Sequence, residues 1–373
     1  MAEHTLSMAR TPAIDAPVDL IPASRKRLGR ALVLLGSLVL VAALAVQILY
    51  SSGVIDVGFD SWRPVLYAYI LWGMALGAGQ VLMRGEEGYK ALFLLPAVLF
   101  TVALVVFPTL FGFYIALNDW NLSSLEGPRF NGLDNFWQAW RDPFYLNALG
   151  NMVLYVLSVF VEYAVAFGLA LLLNAQIRAR KFFRVAFLLP LMLSPVAVSW
   201  MIGKSMMETR FGPLAALMRW LGWDRPAFFA DPLIAKLSIM ALDAWTFIPF
   251  MMILLLAGLQ ALSREVLEAA RVDGANAWQT FWQVTFPLML PVSVTAIILR
   301  IIFKLKLADI IITVTSGGPG GATDSVTSFI FREYRDRSNV GYGTMLAMIY
   351  LVLIIVFVTL LLKLANRFVR NVT

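Results

Sequence analysis

The most specific pattern in the chain is the stretch Ser263-Arg-Glu-Val-Leu-Glu268-Ala269-Ala270-Arg271-Val-Asp273-Gly274-Ala275. Serine is favoured at a helix N-cap, and glycine suits the left-handed position that follows a helix. The stretch therefore predicts a short helix over 264–273. Its two adjacent alanines form a smooth patch that another protein can approach closely, and Glu268 beside them offers a charge to a basic partner.

The composition of the surrounding chain is that of a membrane protein. Of the 373 residues, 60% are hydrophobic and 14% are charged, and the mean hydropathy is +0.78. Soluble domains average about 25% charged residues. These values exclude a soluble enzyme, a disordered chain and a collagen-like fibre. The net charge of +7 is explained by membrane topology, so we expect no nucleic acid as a partner.

The chain lacks the residues that many catalytic and metal sites require. It has no cysteine, and its one histidine is His4 in a polar tail. Disulfides, thiolate metal sites and cysteine nucleophiles are therefore excluded. Zinc sites and histidine acid–base catalysis lack their usual ligands, so we expect no metal site and no catalytic residue.

Eight apolar stretches are long enough to cross a bilayer, which takes about 20 residues. Their bounds are 31–50, 64–83, 91–117, 151–174, 185–207, 237–260, 288–312 and 344–364. The apolar runs are continuous, whereas the strands of a membrane barrel alternate apolar and polar residues. The sequence predicts an all-α membrane protein with eight transmembrane helices.

The distribution of basic residues predicts the orientation of these helices. About twice as many Lys and Arg residues lie in the tails and even-numbered loops as in the other loops. The loop 175–184 has basic residues and no acidic one. By the positive-inside rule, this loop and both termini are cytoplasmic. The first apolar run is not followed by an A-x-A cleavage site, so we expect it to be a retained span.

The quoted stretch also carries a family resemblance. Glu268-Ala-Ala, with Gly274 following and Pro287 and Pro291 beyond it, resembles the EAA loop of bacterial ABC importer permeases. Further blocks resemble the carbohydrate-importing branch, specifically the maltose-type first permease subunit. They are Trp245-Thr-Phe-Ile-Pro249-Phe, Leu256-Ala-Gly-Leu-Gln260, Phe130-Asn-Gly-Leu-Asp134-Asn-Phe136 and Thr315-Ser-Gly-Gly-Pro319.

The resemblance implies a domain organisation. It covers roughly residues 90–368, which would form a six-helix type-1 permease core, with the transmembrane domain proper at about 147–366. Residues 31–83 would then be two additional N-terminal transmembrane helices, and residues 1–30 a cytoplasmic tail. In the second span, Gly73 and Gly77 form a GxxxG pair, which indicates either close helix packing or chance in a glycine-rich span.

The resemblance also implies a function and its partners. The chain would be the permease subunit of an importer in the bacterial inner (plasma) membrane, moving a carbohydrate or related polar solute by alternating access. Partners would be a different permease subunit, a dimer of ATPases, an external periplasmic or lipid-anchored solute-binding protein, and membrane lipid. This chain would bind no cofactor, and ATP and Mg would be used by the ATPase. Residues implied to couple to the ATPase are Glu268, Ala269, Ala270, Asp273 and Gly274.

No ATP-binding motif competes with that interpretation. Gly203-Lys204-Ser205 matches the end of a phosphate-binding loop, but the glycine that should stand five residues before Gly203 is replaced by Val198. Energy must therefore come from another subunit.

Charged residues within the spans mark a possible solute path, because they are costly in a bilayer and usually face a partner or water. Two stripes at helical spacing are expected to meet across this path. They comprise Asp243, Phe247 and Phe250 in span six, and Arg300, Phe303, Lys304 and Leu307 in span seven. The aromatic residues could stack on a sugar ring, or they could be core.

The basic residues of span seven allow two interpretations. Lys306 and Asp309 are i, i+3 neighbours, which predicts a structural ion pair. Lys304 has no obvious partner in the sequence. A buried cation of this kind needs a negatively charged partner. That partner is either an acidic residue or an anionic solute, such as a sugar phosphate, sugar acid or sulfosugar.

Two other functions fit the sequence less well. A self-sufficient secondary transporter should show internal repeats and intramembrane carboxylates, and the sequence has no clear repeat and few such carboxylates. A membrane enzyme needs converging titratable groups, which the lack of cysteine and of histidine outside the tail disfavours.

Overall fold

The computed structural model describes residues 21–51, 53–175 and 177–372. Residues 1–20 of the predicted tail, including His4, lie outside the described residues. The described chain is almost wholly helical and divides into two compact units, with the division between Leu110 and Phe111.

The first unit contains the two additional N-terminal helices and most of the next one. Its helices are α1 (Ala23–Ser51), α2 (Arg63–Arg84) and α3 (Glu86–Thr101), and α3 continues through a π-helical turn, Val102–Val106, into α4 (Phe107–Ala116). Helix α2 packs against both α1 and α3. Proline in the first turn starts α2 without losing a hydrogen bond.

Glycine on both faces of α2 allows these helices to approach closely. On one face a Cβ at Gly29 of α1 would lie 2.8 Å from the carbonyl oxygen of Gly79. On the other face Gly73 and Gly77 are buried and lie under Leu99 and Leu92 of α3. The Gly73–Gly77 pair is therefore a packing surface, as small residues commonly are between membrane helices.

The second unit holds a two-stranded antiparallel ribbon and the remaining helices. The ribbon pairs β1 (Asn118–Asp119) with β2 (Arg129–Phe130). The helices are α5 (Asp134–Ala139), α6 (Pro143–Asn174), α7 (Arg180–Met192), α8 (Pro195–Val198), α9 (Pro213–Trp220), α10 (Pro232–Ala261), α11 (Arg264–Val272), α12 (Ala277–Thr280), α13 (Phe286–Lys304), α14 (Asp309–Val314), α15 (Val326–Arg335) and α16 (Val340–Val372).

The core of this unit is built on α6, α10 and α13, which pack against one another. Asp142 and Asp231 cap the first two of these helices by accepting hydrogen bonds from first-turn backbone N–H groups. The large apolar side chains between the helices, such as Ile239, Met252 and Met289, are fully buried.

The predicted span 185–207 is not a straight helix. Helix α7 ends at Met192, and after Pro195 the chain continues as α8 and a π-helical segment, Ser199–Met206, at an angle of 96° to α7. Ser194 is extended, which is the conformation that a following proline favours. Seven helices of the described residues are long and apolar enough to cross a membrane, and eight if the bent pair counts as one span.

The predicted span 288–312 is also interrupted. Helix α13 ends at Lys304, residues 305–308 form a turn, and α14 begins at Asp309. Side chains on either side of this turn no longer follow helical spacing.

The packing of α1 on α2 predicts a steric effect of Gly79→Ala. The added methyl would collide with Val33 and lie 2.9 Å from the carbonyl oxygen of Gly29. Because backbone cannot yield as a side chain can, we expect a loss of about 1–3 kcal/mol in unfolding free energy. Thermal unfolding of the purified chain measures it. Gly168→Ala is the matched control, since no atom lies within 4 Å of its added methyl. Equal midpoints for the two variants would contradict this account.

Candidate functional site

A network of buried charges joins the three central helices. Arg300 and Lys304 of α13 lie between Glu162 of α6 and Asp243 of α10. Arg300 Nε is 2.6 Å from Glu162 Oε2, and Lys304 Nζ is 2.7 Å from Glu162 Oε1. Both basic groups also form ion pairs with Asp243 Oδ2. No side chain of the four is more than 2% exposed, and we call them the charge network.

The charge network is neutral and connects every member to both groups of opposite sign. Arg300 and Lys304 are four residues apart, so they occupy the same face of α13 one turn apart. Two carboxylates balance two cations. An isolated charge at this depth would be strongly unfavourable, whereas paired charges with further hydrogen bonds are tolerated.

The charge network decides how Lys304 is paired. The sequence left open an acidic residue or an anionic solute as its partner, and the structure supplies two carboxylates. Lys304 is fully buried and is occupied by Glu162 and Asp243. The acidic alternative is therefore the one that this structure contains, and the position of Lys304 gives no reason to expect an anionic solute. A role of Lys304 in the solute path stays a prediction.

Glu162 is the member that the sequence analysis missed. It is a carboxylate in the middle of the apolar span 151–174. The cost of placing such a group in a membrane is a sufficient signal, because intramembrane acids almost always face a partner. Its partners lie 138 and 142 residues away in the sequence, so the pairing itself required the fold.

Aromatic rings border the charge network, as the two predicted stripes imply. The Phe303 ring lies 6.2 Å from that of Phe247 and 5.2 Å from that of Phe250. The Arg300 guanidinium stacks 4.5 Å above the centre of the Phe247 ring, a cation–π contact. Thus the Asp243 face and the Lys304 face meet. Leu307 is buried but lies beyond the end of α13.

A cavity of about 210 Å³ opens beside these rings. It is lined by Pro195, Asp243, Phe247, Phe303, Lys306, Leu307, Ala308, Asp309 and Ile310. The bend before α8 and the turn after α13 both contribute to its wall. Apolar rings with a few polar groups are the usual lining of a small-molecule site.

Lys306 and Asp309 both line this cavity, but they do not pair with each other. Among the described residues neither takes part in an ion pair within 4.0 Å, and both are exposed. The predicted structural ion pair is therefore wrong. Its i, i+3 argument assumed a continuous helix, and the chain leaves the helix at Lys304.

The predicted short helix in the quoted stretch is α11, over Arg264–Val272. Gly274 has φ of +80°, the left-handed conformation expected after a helix. Asp273 caps the end, while Ser263 occupies the N-cap without a side-chain hydrogen bond. Glu268 and Ala269 are exposed and Ala270 is half-buried, so the patch is open to a partner.

The loop 315–325 is hydrogen-bonded to the N-terminal half of α6. Asn151 donates hydrogen bonds to the carbonyl oxygens of Ala322 and Asp324, at 2.8 and 2.9 Å. Tyr155 donates to the carbonyl oxygen of Thr323 at 2.8 Å. Burial raises the pKa of the Asp324 carboxyl, against the opposing effect of Arg332 beside it. Helix α6 therefore holds this loop and the charge network together.

Comparisons with known proteins agree with this architecture. The model of the family described as "Binding-protein-dependent transport system inner membrane component" matches residues 163–371. The trehalose/maltose transport system permease protein MalF of Thermococcus litoralis is 31% identical over 289 residues, covering 77% of this chain and 96% of the relative.

Two further proteins extend the comparison. The sulfoquinovosyl glycerol transport system permease protein SmoG of Agrobacterium fabrum is 30% identical, covering 71% of this chain and 86% of the relative. A crystal structure of a bacterial alginate ABC transporter, in complex with an alginate pentasaccharide-bound periplasmic protein, matches with a TM-score of 0.64 and 20% identity. That match covers 83% of this chain and 99% of the solved chain, and it shows a shared fold.

The charge network predicts a large effect of Glu162→Gln. The substitution leaves two buried cations with one carboxylate, and breaking a buried pair in this way costs about 3–5 kcal/mol. We expect a lower midpoint of thermal unfolding for the purified chain. The double variant Glu162→Gln with Lys304→Gln restores neutrality and should recover part of the loss.

Glu126→Gln is the matched control, because it removes a carboxylate from an exposed ion pair with Arg129. Exposed pairs contribute about 0–1 kcal/mol. If Glu162→Gln were as harmless as this control, the charge network would not stabilise the core.

Proposed function

Because the chain belongs to the family of inner-membrane components of binding-protein-dependent transport systems, we propose that it forms half of the path through which an ATP-driven importer passes a carbohydrate or related polar solute. The observation that carries this proposal is the cavity beside Phe247 and Phe303, placed against the neutral charge network. Family membership makes the chain a multi-pass permease of the inner membrane. It argues against the alternative hypothesis of a self-sufficient secondary transporter.

The cavity suits a neutral, hydroxyl-rich solute. Phe303 is partly exposed and can stack on the apolar face of a sugar ring. Lys306 and Asp309 at the rim are free to exchange hydrogen bonds with hydroxyl groups. The relatives support a carbohydrate solute, since one is named for trehalose and maltose and another for sulfoquinovosyl glycerol.

The path would be completed by partner subunits. A companion permease, related but different, would face the cavity of this chain. A dimer of ATPases would use ATP and Mg, so that this chain itself is non-catalytic and binds no cofactor. A periplasmic or lipid-anchored binding protein would deliver the solute to the side of the loop 315–325. The support for that last step is the solved transporter with its periplasmic protein.

Helix α11 would transmit the movement of the ATPase. Its exposed Glu268 and Ala269 and its half-buried Ala270 would sit in a groove of the ATPase, with Asp273 and Gly274 fixing where the helix ends. Because α10 leads directly into α11, a movement of α11 would be transmitted to α10 and to its Asp243. Both termini and α11 would be cytoplasmic, as the basic loops indicate.

The experiment that tests this function is gentle purification of the chain from its native membrane, followed by identification of its companions and reconstituted uptake. We expect a second permease and two copies of an ATPase, with uptake that needs ATP and the binding protein. Recovery of the chain alone, active in uptake without ATP, would refute the proposal.

Charge reversal at α11 sharpens the test. Glu268→Arg should abolish the contact with the ATPase, so we expect loss of the ATPase on purification or an at least tenfold fall in uptake, as about 1.4 kcal/mol of lost binding would give. Glu87→Arg is the matched control, an exposed glutamate on the same predicted side of the membrane. Normal uptake by Glu268→Arg would show that this residue does not couple the subunits.

The aromatic wall of the cavity gives a separate prediction. Phe303→Ala should raise the KM for uptake several-fold, because stacking and burial of a ring contribute about 1–3 kcal/mol. Uptake at graded solute concentrations measures it. Phe160→Ala is the control, since Phe160 lines a separate apolar groove and does not line the cavity. An equal change in both variants would argue against a solute site at Phe303.

A further inference from the structure

Two arginines in the first turns of α7 converge on one amide group. Arg180 and Arg184 are four residues apart and so share one face of α7. Gln260 lies near the end of α10, and its amide is assigned so that the oxygen faces both arginines. In that orientation the oxygen accepts a hydrogen bond from Arg184 at 2.5 Å and from Arg180 at 3.0 Å. We call Arg180, Arg184 and Gln260 the arginine pair and its amide.

The arginine pair lacks an anion. A neutral amide oxygen satisfies one N–H of each guanidinium but balances neither charge. Within the described residues no carboxylate lies within 4.0 Å of Arg180 or Arg184. The Nε of each is buried and has no hydrogen-bond partner. Like charges at this spacing repel each other, so the pair is incomplete as it stands.

A phosphate group has the chemistry that would complete the pair. Guanidinium groups bind phosphate by paired, charge-assisted hydrogen bonds. A phosphate offers several acceptor oxygens to two guanidiniums at once, and its negative charge removes their repulsion. A carboxylate has fewer oxygens with which to serve both groups.

The surroundings indicate where that phosphate comes from. Phe182 and Phe183 lie between the two arginines in the sequence, and they are 67% and 40% exposed. Exposed phenylalanines beside basic residues are typical of a helix segment that lies at the lipid–water interface. Basic clusters at the cytoplasmic end of a span attract anionic lipids.

We propose that Arg180 and Arg184 bind the phosphate of an anionic phospholipid headgroup in the cytoplasmic leaflet. This proposal rests on the cytoplasmic placement of the loop and is independent of which solute the protein carries. The site has a further consequence, because Gln260 precedes α11 by only a short connection. A bound headgroup would fix the end of α10 at the base of the helix that meets the ATPase.

Titration of the purified full-length chain in neutral detergent tests the proposal. The probes are a short-chain phosphatidylglycerol, the matching phosphatidylcholine and inorganic phosphate, with the midpoint of thermal unfolding as the readout. We expect phosphatidylglycerol to raise the midpoint in a saturable way, and the other two probes to do so only weakly. An equal effect of inorganic phosphate would overturn the lipid assignment in favour of a site for free anions.

Variants locate the effect. Arg180→Gln with Arg184→Gln should weaken the apparent affinity for phosphatidylglycerol at least about tenfold, which corresponds to the loss of charge-assisted hydrogen bonds. Arg178→Gln with Lys181→Gln is the matched control. It removes the same charge from the same segment, at exposed side chains that do not contact Gln260.

Equal weakening in both double variants would overturn the proposal, because diffuse attraction to the basic segment would then explain the binding. If Arg180→Gln with Arg184→Gln fails to fold, Arg180→Lys with Arg184→Lys decides between a specific site and diffuse attraction. This double variant keeps the charge but loses the planar guanidinium groups. A specific site predicts weaker binding of phosphatidylglycerol, whereas diffuse attraction predicts unchanged binding. No response of the wild-type chain to phosphatidylglycerol would also overturn the proposal, and would leave the pair to an acidic residue of a partner protein.

Discussion

The buried ion pairs among Glu162, Asp243, Arg300 and Lys304 are the constraint on which the rest of the second unit depends. Each charge has its partners on another helix, so α6, α10 and α13 must keep one register. A slip of one residue turns a helical side chain by about 100° and would leave charges unpaired in a low-dielectric core. The three helices therefore behave as one body. Rocking of packed bundles around a fixed site is the usual form of alternating access, and this arrangement suits it.

Much of the fold could be predicted because its signals are local. The helix over Arg264–Val272 begins and ends within one residue of its prediction, since Gly274 and its neighbours determine it without help from the rest of the chain. The resemblance to ABC importer permeases rested on the same residues and is confirmed by the family match. The inward orientation of Asp243 and Arg300 was also predictable, because charges within a membrane avoid lipid.

The errors came from assuming that long apolar runs form straight helices. Pro195 bends one predicted span, so the count of eight is not confirmed. The turn after Lys304 breaks another, which removed the expected Lys306–Asp309 pair. The pairing of Glu162 with Arg300 and Lys304 could not be predicted, because these residues lie far apart in the sequence. No local pattern reports a contact of that range. The domain bounds and the roles of the site residues toward ATPase and solute stay predictions.

Helix α6 has a mechanical consequence that follows from its length alone. Its 32 residues span about 48 Å at 1.5 Å per residue, and no break interrupts them. In its N-terminal half Asn151 and Tyr155 donate hydrogen bonds to the loop 315–325, and about two turns further on Glu162 pairs with two cations. Such a rod acts as a lever. A tilt of about 5° displaces one end by about 4 Å relative to the other, which is comparable to the width of a sugar ring. A small angular change at the base of this unit is thus enough to open or close a passage at its far end.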